Sequence, residues 1–270
     1  MKPMREALMR QFLDLDRYPL DRPGSTPWGA LVARCRADLA RDGMFNLEAI
    51  MDPAAAERAA ADLTEKFAAE SFHHARDHNI YFTDAIAELP DDHPALTRFT
   101  TSNDTLCNDQ VKGTPMDLLY RWLPFATFLA AAMDKPALFT MDDPLAGLNV
   151  MSYREGQQLN WHFDRSEFTT TLMLCAPDEG GEFLYRTDLR SAGDPNYDGV
   201  ARLLRGDDPD QRSLTLKPGT LNVFRGKNTP HRVAPVRGPR ARVIAVFSFY
   251  ERPGVSFSDE ERIAFYGRAC

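Results

Sequence analysis

Short apolar runs separated by turn residues fill the second half of the sequence. Runs rich in β-branched and aromatic residues cover positions 148–153, 168–174, 182–185, 213–216, 220–224 and 240–249. Between them, segments such as 177–181 and 217–219 carry the glycine and proline residues that form turns. Short strands broken in this way are typical of a double-sheet jelly roll. We therefore predict a jelly-roll core over about residues 146–252.

The first half of the sequence has helical patterns. We predict helices over residues 27–41, 54–70 and 116–133. Each begins at a capping residue followed by proline, and the interiors are rich in helix-forming residues. Two polar segments, 71–108 and 188–210, show little apolar periodicity, so we predict irregular segments that cover a binding site.

These patterns predict the fold class and the domain organisation. The expected class is α+β, a double-stranded β-helix (jelly-roll, cupin-like) core with N-terminal helices packed against it. We expect a single domain over residues 1–270, with a helical part at about 1–145, the core at about 146–252 and a tail at 253–270.

Composition restricts the partners and the compartment. The formal net charge of −7 argues against nucleic acid or a membrane surface as partner, because phosphate binding requires a basic face. No apolar run approaches the roughly 18 residues of a membrane span, and the charged first ten residues do not resemble a signal peptide. The four cysteines are scattered, which indicates free thiols. We expect a cytoplasmic protein and predict no particular oligomeric state.

One set of polar residues has the spacing of a metal site. His162 and Asp164 stand two apart in a predicted strand, so their side chains project to the same side. His231 adds an imidazole from a distant strand. Two histidines and one carboxylate make the facial triad of non-heme Fe(II) oxygenases, which leaves neighbouring coordination positions open. We predict that His162, Asp164 and His231 are the catalytic iron ligands.

The order of motifs around this triad resembles the 2-oxoglutarate/Fe(II)-dependent dioxygenases. The motifs are Tyr-x-x-Gly from 153, His-x-Asp from 162, Gly-Gly-Glu-Phe from 180, Pro-Gly-Thr-Leu from 218 and His-Arg-Val-x-Pro-Val from 231, followed by arginine. The resemblance spans about residues 148–250 and implies Fe(II), 2-oxoglutarate as cosubstrate, and O2.

A narrower resemblance covers more of the chain. It is to the bacterial free-amino-acid radical halogenases and their hydroxylase relatives. It rests on Ser102-Asn103, Asp109-Gln110 and the segments 161–168, 196–199 and 265–268. In those halogenases glycine or alanine stands two residues after the first histidine, and chloride takes the free coordination site. This chain keeps Asp164 there, so the resemblance implies hydroxylation of an unactivated C–H bond.

The same resemblance implies an arginine that binds the free carboxylate of 2-oxoglutarate. Related enzymes carry it nine to eleven residues after the distal histidine, which admits Arg240 and Arg242. Strand alternation puts both on one face with Ile244, Val246 and Ser248. Arg242 is preferred because it lies deeper in the apolar run, whereas Arg240 follows a Gly-Pro turn. Further candidate partners of the cosubstrate are Tyr153, Asn149 and Thr171.

The substrate candidates are less sharply defined by the sequence. Arg76, Arg165 and Glu167 could pair with the carboxylate or amine of an amino acid, and Val246 and Ser248 would face the cavity. Because Val246 is apolar where lysine-selective relatives use a polar contact, we expect a neutral or moderately apolar amino acid, or a derivative. The alternatives are a protein or peptide hydroxylase, a desaturase on the same scaffold, and a non-enzymatic jelly-roll binding protein.

Overall fold

A computed structural model describes residues 2–270, with side chains from residue 6 onward. The prediction made from the first ten residues therefore falls partly outside the described residues. The helices are α1 Lys2–Met9, α2 Thr26–Asp42, α3 Pro53–Ala61, α4 Thr64–Glu70, α5 Pro115–Tyr120, α6 Leu123–Ala132, α7 Tyr197–Arg205 and α8 Asp259–Tyr266. The strands are β1 Met44–Leu47, β2 Phe72–His78, β3 Phe99–Leu106, β4 Phe139–Thr140, β5 Leu148–Tyr153, β6 Leu159–His162, β7 Thr169–Cys175, β8 Glu179–Gly180, β9 Phe183–Tyr185, β10 Arg212–Leu214, β11 Leu221–Phe224, β12 His231–Val233, β13 Val236–Arg237, β14 Arg242–Phe247 and β15 Phe249–Tyr250.

Two antiparallel sheets form the core. The large sheet has seven strands in the order β1-β11-β7-β14-β5-β3-β2, and the smaller sheet has four in the order β10-β9-β12-β6. Two short ladders, β13-β8 and β15-β4, stand beside them. The predicted fold, an α+β protein with a double-stranded β-helix core, is confirmed.

The large sheet has one apolar face and one face turned to a cavity. On β14, Val243 and Ala245 pack into the main hydrophobic core, whereas Arg242 and Ile244 line the cavity. This alternation is the one that the sequence predicts for the strand. Helices α2, α3, α5 and α6 pack on the apolar face and contribute to the same core. The cavity face is left to the smaller sheet.

Capping residues start the helices where the sequence indicates. The side chains of Ser25, Asp52 and Thr114 accept hydrogen bonds from backbone N–H groups in the first turns of α2, α3 and α5. The predicted helix over 116–133 is in fact two helices, because Pro124 cannot donate to the preceding turn and begins α6 instead. The predicted helix over 54–70 also divides, into α3 and α4, and nothing in the local sequence forces that break.

The polar segment 71–108 is not irregular throughout, and that prediction was wrong. It contains β2 and β3, which pair with each other and join the large sheet through β5. The helical N-terminal part therefore contributes strands to the core sheet. On β2 the side chains of His74, Arg76 and His78 turn towards the cavity and their neighbours turn outward. Both faces are polar, so no apolar alternation marks this strand in the sequence.

The segment 188–210, predicted to be irregular, and the tail each contain a helix. Segment 188–210 includes α7, which begins at Asn196 with its side chain accepting from the N–H of Gly199. The tail includes α8, which begins with a capping box between Ser258 and Glu261. No helix within residues 2–270 is both long and apolar enough to cross a membrane. The four cysteines are free thiols in the structure.

Candidate metal and cosubstrate site

A cavity of about 900 Å³ lies between the two sheets. The large sheet lines it with residues from β2, β3, β5, β14, β7 and β11, and the smaller sheet with residues from β6, β9 and β12. Further lining residues come from the segments after β2, β6, β9, β10 and β11 and from α8. All three predicted metal ligands and Arg242 lie in this lining.

The predicted triad is assembled by strand pairing. His162 ends β6 and His231 begins β12, and the two are directly opposite each other in the ladder. Asp164 follows β6 and places Oδ1 3.4 Å from Nε2 of His162 and Oδ2 3.5 Å from Nε2 of His231. Ligand atoms of the three residues lie within 4.8 Å of one another. They converge on one point, as ligands of a single ion must.

Backbone contacts fix the orientation of both imidazoles. Nδ1 of His162 is 2.7 Å from the carbonyl oxygen of Asn160, and Nδ1 of His231 is 3.0 Å from that of Thr229. A carbonyl can only accept, so each Nδ1 is protonated and each neutral Nε2 presents its lone pair to the common point. Hydrogen bonding of the second ring nitrogen is the usual arrangement of metal-binding histidines.

The Asp164 carboxylate is held by two neighbours. The hydroxyl of Thr169 donates to Oδ2 at 2.5 Å, and the backbone N–H of Asp164 donates to the carbonyl of Gly226 at 3.0 Å. A side chain at Gly226 has no room, because a Cβ there would lie 1.9 Å from Oδ2 of Asp164. Glycine at this position is therefore a requirement of the carboxylate's placement.

Burial and mutual charge set the protonation states that a metal needs. Burial lowers the pKa of His231 to about 4, so this imidazole is neutral at pH 7. Burial acts to raise the pKa of Asp164, but the two imidazoles and the Thr169 hydroxyl outweigh it and hold the pKa below its usual range. Two imidazoles and one carboxylate, buried and convergent, are a donor set that fits Fe(II).

Arg242 lies at the base of the cavity and is 2% exposed. Its Nε donates to the carbonyl of Gly181 at 3.1 Å, and its guanidinium carbon lies 5.5 Å from the centre of the Tyr153 ring. Among the described residues it has no carboxylate partner, and burial lowers its pKa to about 10. A buried, unpaired guanidinium is costly, so this geometry fits an anionic ligand such as the free carboxylate of 2-oxoglutarate.

Arg240 has a different environment. It precedes β14 and is exposed, outside the cavity lining. Its guanidinium pairs with Glu57 at 2.5 Å and its Nε approaches the thiol sulfur of Cys175 at 3.2 Å. Of the two arginines admitted by the sequence, the structure brings only Arg242 to the site.

The other predicted cosubstrate partners also line the cavity, and they differ in how many of their polar atoms already make hydrogen bonds within the protein. The amide of Asn149 is already engaged, since its nitrogen donates to Leu145 at 2.8 Å and its oxygen accepts from Tyr266 at 2.9 Å. Tyr153 lies opposite Arg242 in the β14-β5 pairing. Thr171 makes only a long contact, 3.5 Å, to the carbonyl of Asn222.

The predicted substrate residues divide into two groups. Arg76, Arg165 and Val246 line the cavity. Glu167 does not, because it pairs with Lys135 at 2.6 Å on the surface. Ser248 also lies outside the lining and donates to the carbonyl of Ala146 at 3.1 Å.

Several lining residues escaped the sequence analysis. They are His74, His78, Tyr81, Phe82, Arg190, Asn222, Lys227, Phe265 and Tyr266. His78 lies in the segment that was predicted to be irregular, but it is 4% exposed in strand β2 and its Nε2 lies 2.6 Å from the hydroxyl of Thr101. The signal that could have found β2 is the alternation of His74, Arg76 and His78 with outward-facing residues. The others depend on tertiary packing.

Comparison with known proteins agrees with this site. Residues 148–250 match the family model of the 2OG-Fe(II) oxygenase superfamily. This range contains the complete triad and Arg242. No curated protein sequence matches the chain significantly.

Solved structures show the same fold at low sequence identity. AviO1 from Streptomyces viridochromogenes Tue57 is 16% identical, with TM-score 0.54 over 83% of this chain and 96% of its own. EctD from S. alaskensis, solved with 2-oxoglutarate and 5-hydroxyectoine, is 16% identical, with TM-score 0.51 over 80% and 75%. A Pseudomonas putida prolyl-4-hydroxylase is 14% identical, with TM-score 0.50 over 82% and 99%.

The jelly-roll fold and the convergent His-Asp-His set define a non-heme iron oxygenase. With the family match over residues 148–250, this part of the chain is a 2OG-Fe(II) oxygenase domain, and the enzyme depends on Fe(II) and 2-oxoglutarate. The narrower resemblance to the free-amino-acid halogenases and their hydroxylase relatives stays a prediction.

Proposed function

We propose that this oxygenase hydroxylates an unactivated C–H bond of a small molecule, a free amino acid or a derivative of one. The observation that carries the proposal is Asp164. Its carboxylate lies within 3.5 Å of Nε2 of both histidines, at the position that a halide would need to occupy in a halogenase. A site that keeps all three protein ligands favours transfer of oxygen to the substrate.

Each residue has a role in this proposal. His162, Asp164 and His231 hold the metal on one side and leave the other side open to the cavity. Arg242 binds the free carboxylate of 2-oxoglutarate through its guanidinium edge. Bound iron, 2-oxoglutarate and O2 supply the oxidant that removes a hydrogen atom from carbon, while 2-oxoglutarate is converted to succinate and CO2.

The remaining lining positions the substrate and excludes water. Met151, Ile244 and Val246 form an apolar floor on the large sheet, which suits a C–H bond and not a charged group. His78, stacked on Phe82 with ring centres 4.3 Å apart, lies on β2 at the edge of the same sheet. Keeping water out protects the reaction from unproductive turnover.

The size of the cavity, about 900 Å³, favours a small substrate over a protein. Residues of the turn after β2, the loop after β11 and α8 line it, whereas a peptide hydroxylase requires an elongated groove. A desaturase would use the same residues and differs only in its product. A non-enzymatic binding protein would not require a complete metal-binding triad together with a buried, unpaired Arg242.

Reconstitution under anaerobic conditions tests the proposal. Protein loaded with Fe(II) and 2-oxoglutarate receives an oxygen pulse in the presence of a panel of amino acids and derivatives. We expect succinate to form and one substrate to gain the mass of a single oxygen atom. A loss of two hydrogen atoms would indicate desaturation instead.

Alanine substitution of either metal-binding histidine, compared with a control histidine outside the cavity, tests the metal assignment. His162→Ala and His231→Ala should abolish succinate formation, whereas His73→Ala, which changes a half-exposed histidine outside the cavity, should retain it. Circular dichroism checks that each variant is folded. Turnover equal to the wild type in either triad variant would refute the metal assignment.

A further inference from the structure

The cavity has an excess of positive charge that the metal and the cosubstrate do not use. Five cationic side chains line it, Arg76, Arg165, Arg190, Lys227 and Arg242, and Asp164 is the only carboxylate in the described lining. Bound Fe(II) and 2-oxoglutarate carry opposite charges of equal size, as do Asp164 and Arg242. Of the four remaining cations Arg165 pairs with Glu261, so three are left over, in a protein whose net charge is −7.

Arg76 forms a first cationic wall with Arg165. The guanidinium carbon of Arg76 lies 4.7 Å from the ring centre of Phe82 and 5.7 Å from that of Phe265. Its Nε is buried without a hydrogen-bond partner. Burial, and then the charge of Arg165, lower the pKa of Arg76. Arg165 already pairs with Glu261 at 3.1 Å, but Arg76 has no carboxylate within the described part of the chain.

Arg190 forms a second cationic wall beside the metal strand. Its guanidinium carbon lies 3.7 Å from the ring centre of Phe163, the residue between His162 and Asp164. Its Nε donates to the carbonyl of Lys227 at 2.9 Å, so the exposed ammonium of Lys227 belongs to the same wall. Neither cation has an ion-pair partner in residues 2–270, and burial lowers the pKa of Arg190. An arginine that stacks on an aromatic ring keeps its N–H edge available for a carboxylate or phosphate.

The lining also lacks a partner for an ammonium group. Glu167, the sequence candidate for that role, pairs with Lys135 outside the cavity. Asp164 is the only acidic lining residue described, and it belongs to the metal site. A zwitterionic amino acid would thus meet cations at both of its ends. A molecule with two acidic groups would satisfy both walls.

We infer that the substrate is a small dianion, with one acidic group bound by Arg76 and the second bound by Arg190 and Lys227. The inference rests on the proposed function and narrows its substrate class from amino acids in general to acidic or N-acylated acidic ones. The two walls come from β2 and from the segments after β9 and β11, and both line the same cavity. The second group is a carboxylate or a phosphate, since both suit a guanidinium edge beside an ammonium.

Calorimetric binding to the anaerobic protein loaded with Fe(II) and 2-oxoglutarate tests the charge requirement. The probes are four pairs: aspartate and asparagine, glutamate and glutamine, N-acetylglutamate and N-acetylglutamine, and O-phosphoserine and serine. The first member of each pair is called the dianion for its two ionised acidic groups, and the second is called the uncharged partner because its group at the second position is neutral. We expect at least one dianion to bind tenfold or more tightly than its uncharged partner. The phosphoserine pair distinguishes a phosphate from a carboxylate.

Substitutions of Arg190 and Lys227 test whether the second wall causes the difference in affinity between the two members of a pair. Arg190→Gln should remove at least tenfold of the dianion affinity and leave the affinity of the uncharged partner unchanged. Lys227→Gln changes an exposed residue, so it tests the same wall even if Arg190→Gln fails to fold. Arg205→Gln, an exposed arginine at the end of α7, is the control and should bind as the wild type does.

Three results would overturn the inference. These are equal or tighter binding of the uncharged partner in every pair, no binding by any dianion, or an equal loss for both partners in Arg190→Gln. Succinate formation measured without these probes reports on the proposed function separately. Protein that consumes 2-oxoglutarate but prefers the uncharged partners keeps the proposed function and loses the dianion. Protein that binds dianions but shows no turnover keeps the dianion inference and loses the proposed function.

Discussion

Replacing Arg242 by leucine should weaken cosubstrate binding without destabilising the ligand-free fold. Burial lowers the pKa of Arg242 from 12.5 to about 10. At about 1.36 kcal/mol for each pKa unit, this corresponds to a cost of roughly 3 kcal/mol for keeping the charged form in the folded protein. Below pH 10 the guanidinium is charged in both states, so the full cost is present at pH 7. Leucine carries no charge and removes this cost, so the ligand-free variant should have a melting temperature no lower than that of the wild type.

The bound state behaves in the opposite way. Loss of a buried, bidentate partner should reduce the 2-oxoglutarate affinity by roughly one to three orders of magnitude, or about 1.4–4 kcal/mol. At 100 times the wild-type Kd, 2-oxoglutarate stabilises the protein by about 2.7 kcal/mol. After a hundredfold loss of affinity, the same concentration should stabilise the variant by only about 0.4 kcal/mol.

Thermal melting with and without 2-oxoglutarate, in metal-loaded protein under argon, measures both effects. Arg240→Leu is the matched control, since it removes an exposed cation outside the cavity and should keep the ligand-induced shift. A ligand-induced shift that survives in Arg242→Leu but disappears in Arg240→Leu would refute the assignment. A large loss of stability in ligand-free Arg242→Leu would show that this cation is paired in the folded protein.

Three further changes test the site. Asp164→Gly should reduce hydroxylation sharply and give at most a minor chlorinated product in chloride buffer, as read by mass; undiminished hydroxylation would mean that the carboxylate is not a ligand. Gly226→Ala should displace this carboxylate, because the new Cβ would lie 1.9 Å from its Oδ2, and should lower iron affinity measured by competition with a chelator. Burial lowers the pKa of His74 from 6.5 to about 4. Because the unfolded state then binds the proton more tightly, the free energy of unfolding should fall as pH drops from 6.5 towards 4, and urea titration should find a smaller fall in His74→Gln.

The sequence predicts the metal-binding strands well because their inner and outer faces differ strongly. On β14 the cavity face carries Arg242 and Ile244 while the other face is wholly apolar, and period two resolves them. Alternation puts Arg240 and Arg242 on the same face, and the deeper position of Arg242 in the apolar run separates it from Arg240, which follows a Gly-Pro turn. The triad is predictable for a similar reason, because His162 and Asp164 are two residues apart and few other sites combine two histidines with one carboxylate.

The sequence could not predict the parts of the cavity that come from outside the core. β2 has a polar inner face because it faces a binding site, and a polar outer face because it faces solvent, so its periodicity carries no apolar signal. Arg190 joins the metal strand only through packing on Phe163 and the carbonyl of Lys227. Such contacts join distant parts of the chain, and no local pattern encodes them.

The pairing of β2 with β3 separates two tasks along the chain. The predicted metal ligands and Arg242 lie between 162 and 242, whereas Arg76 and His78 come from β2, a strand at the edge of the large sheet. Mutations in residues 72–78 can therefore change which molecule is accepted without replacing an iron ligand. For directed evolution, this segment is the place to randomise first, with the His-Asp-His set and Arg242 left untouched.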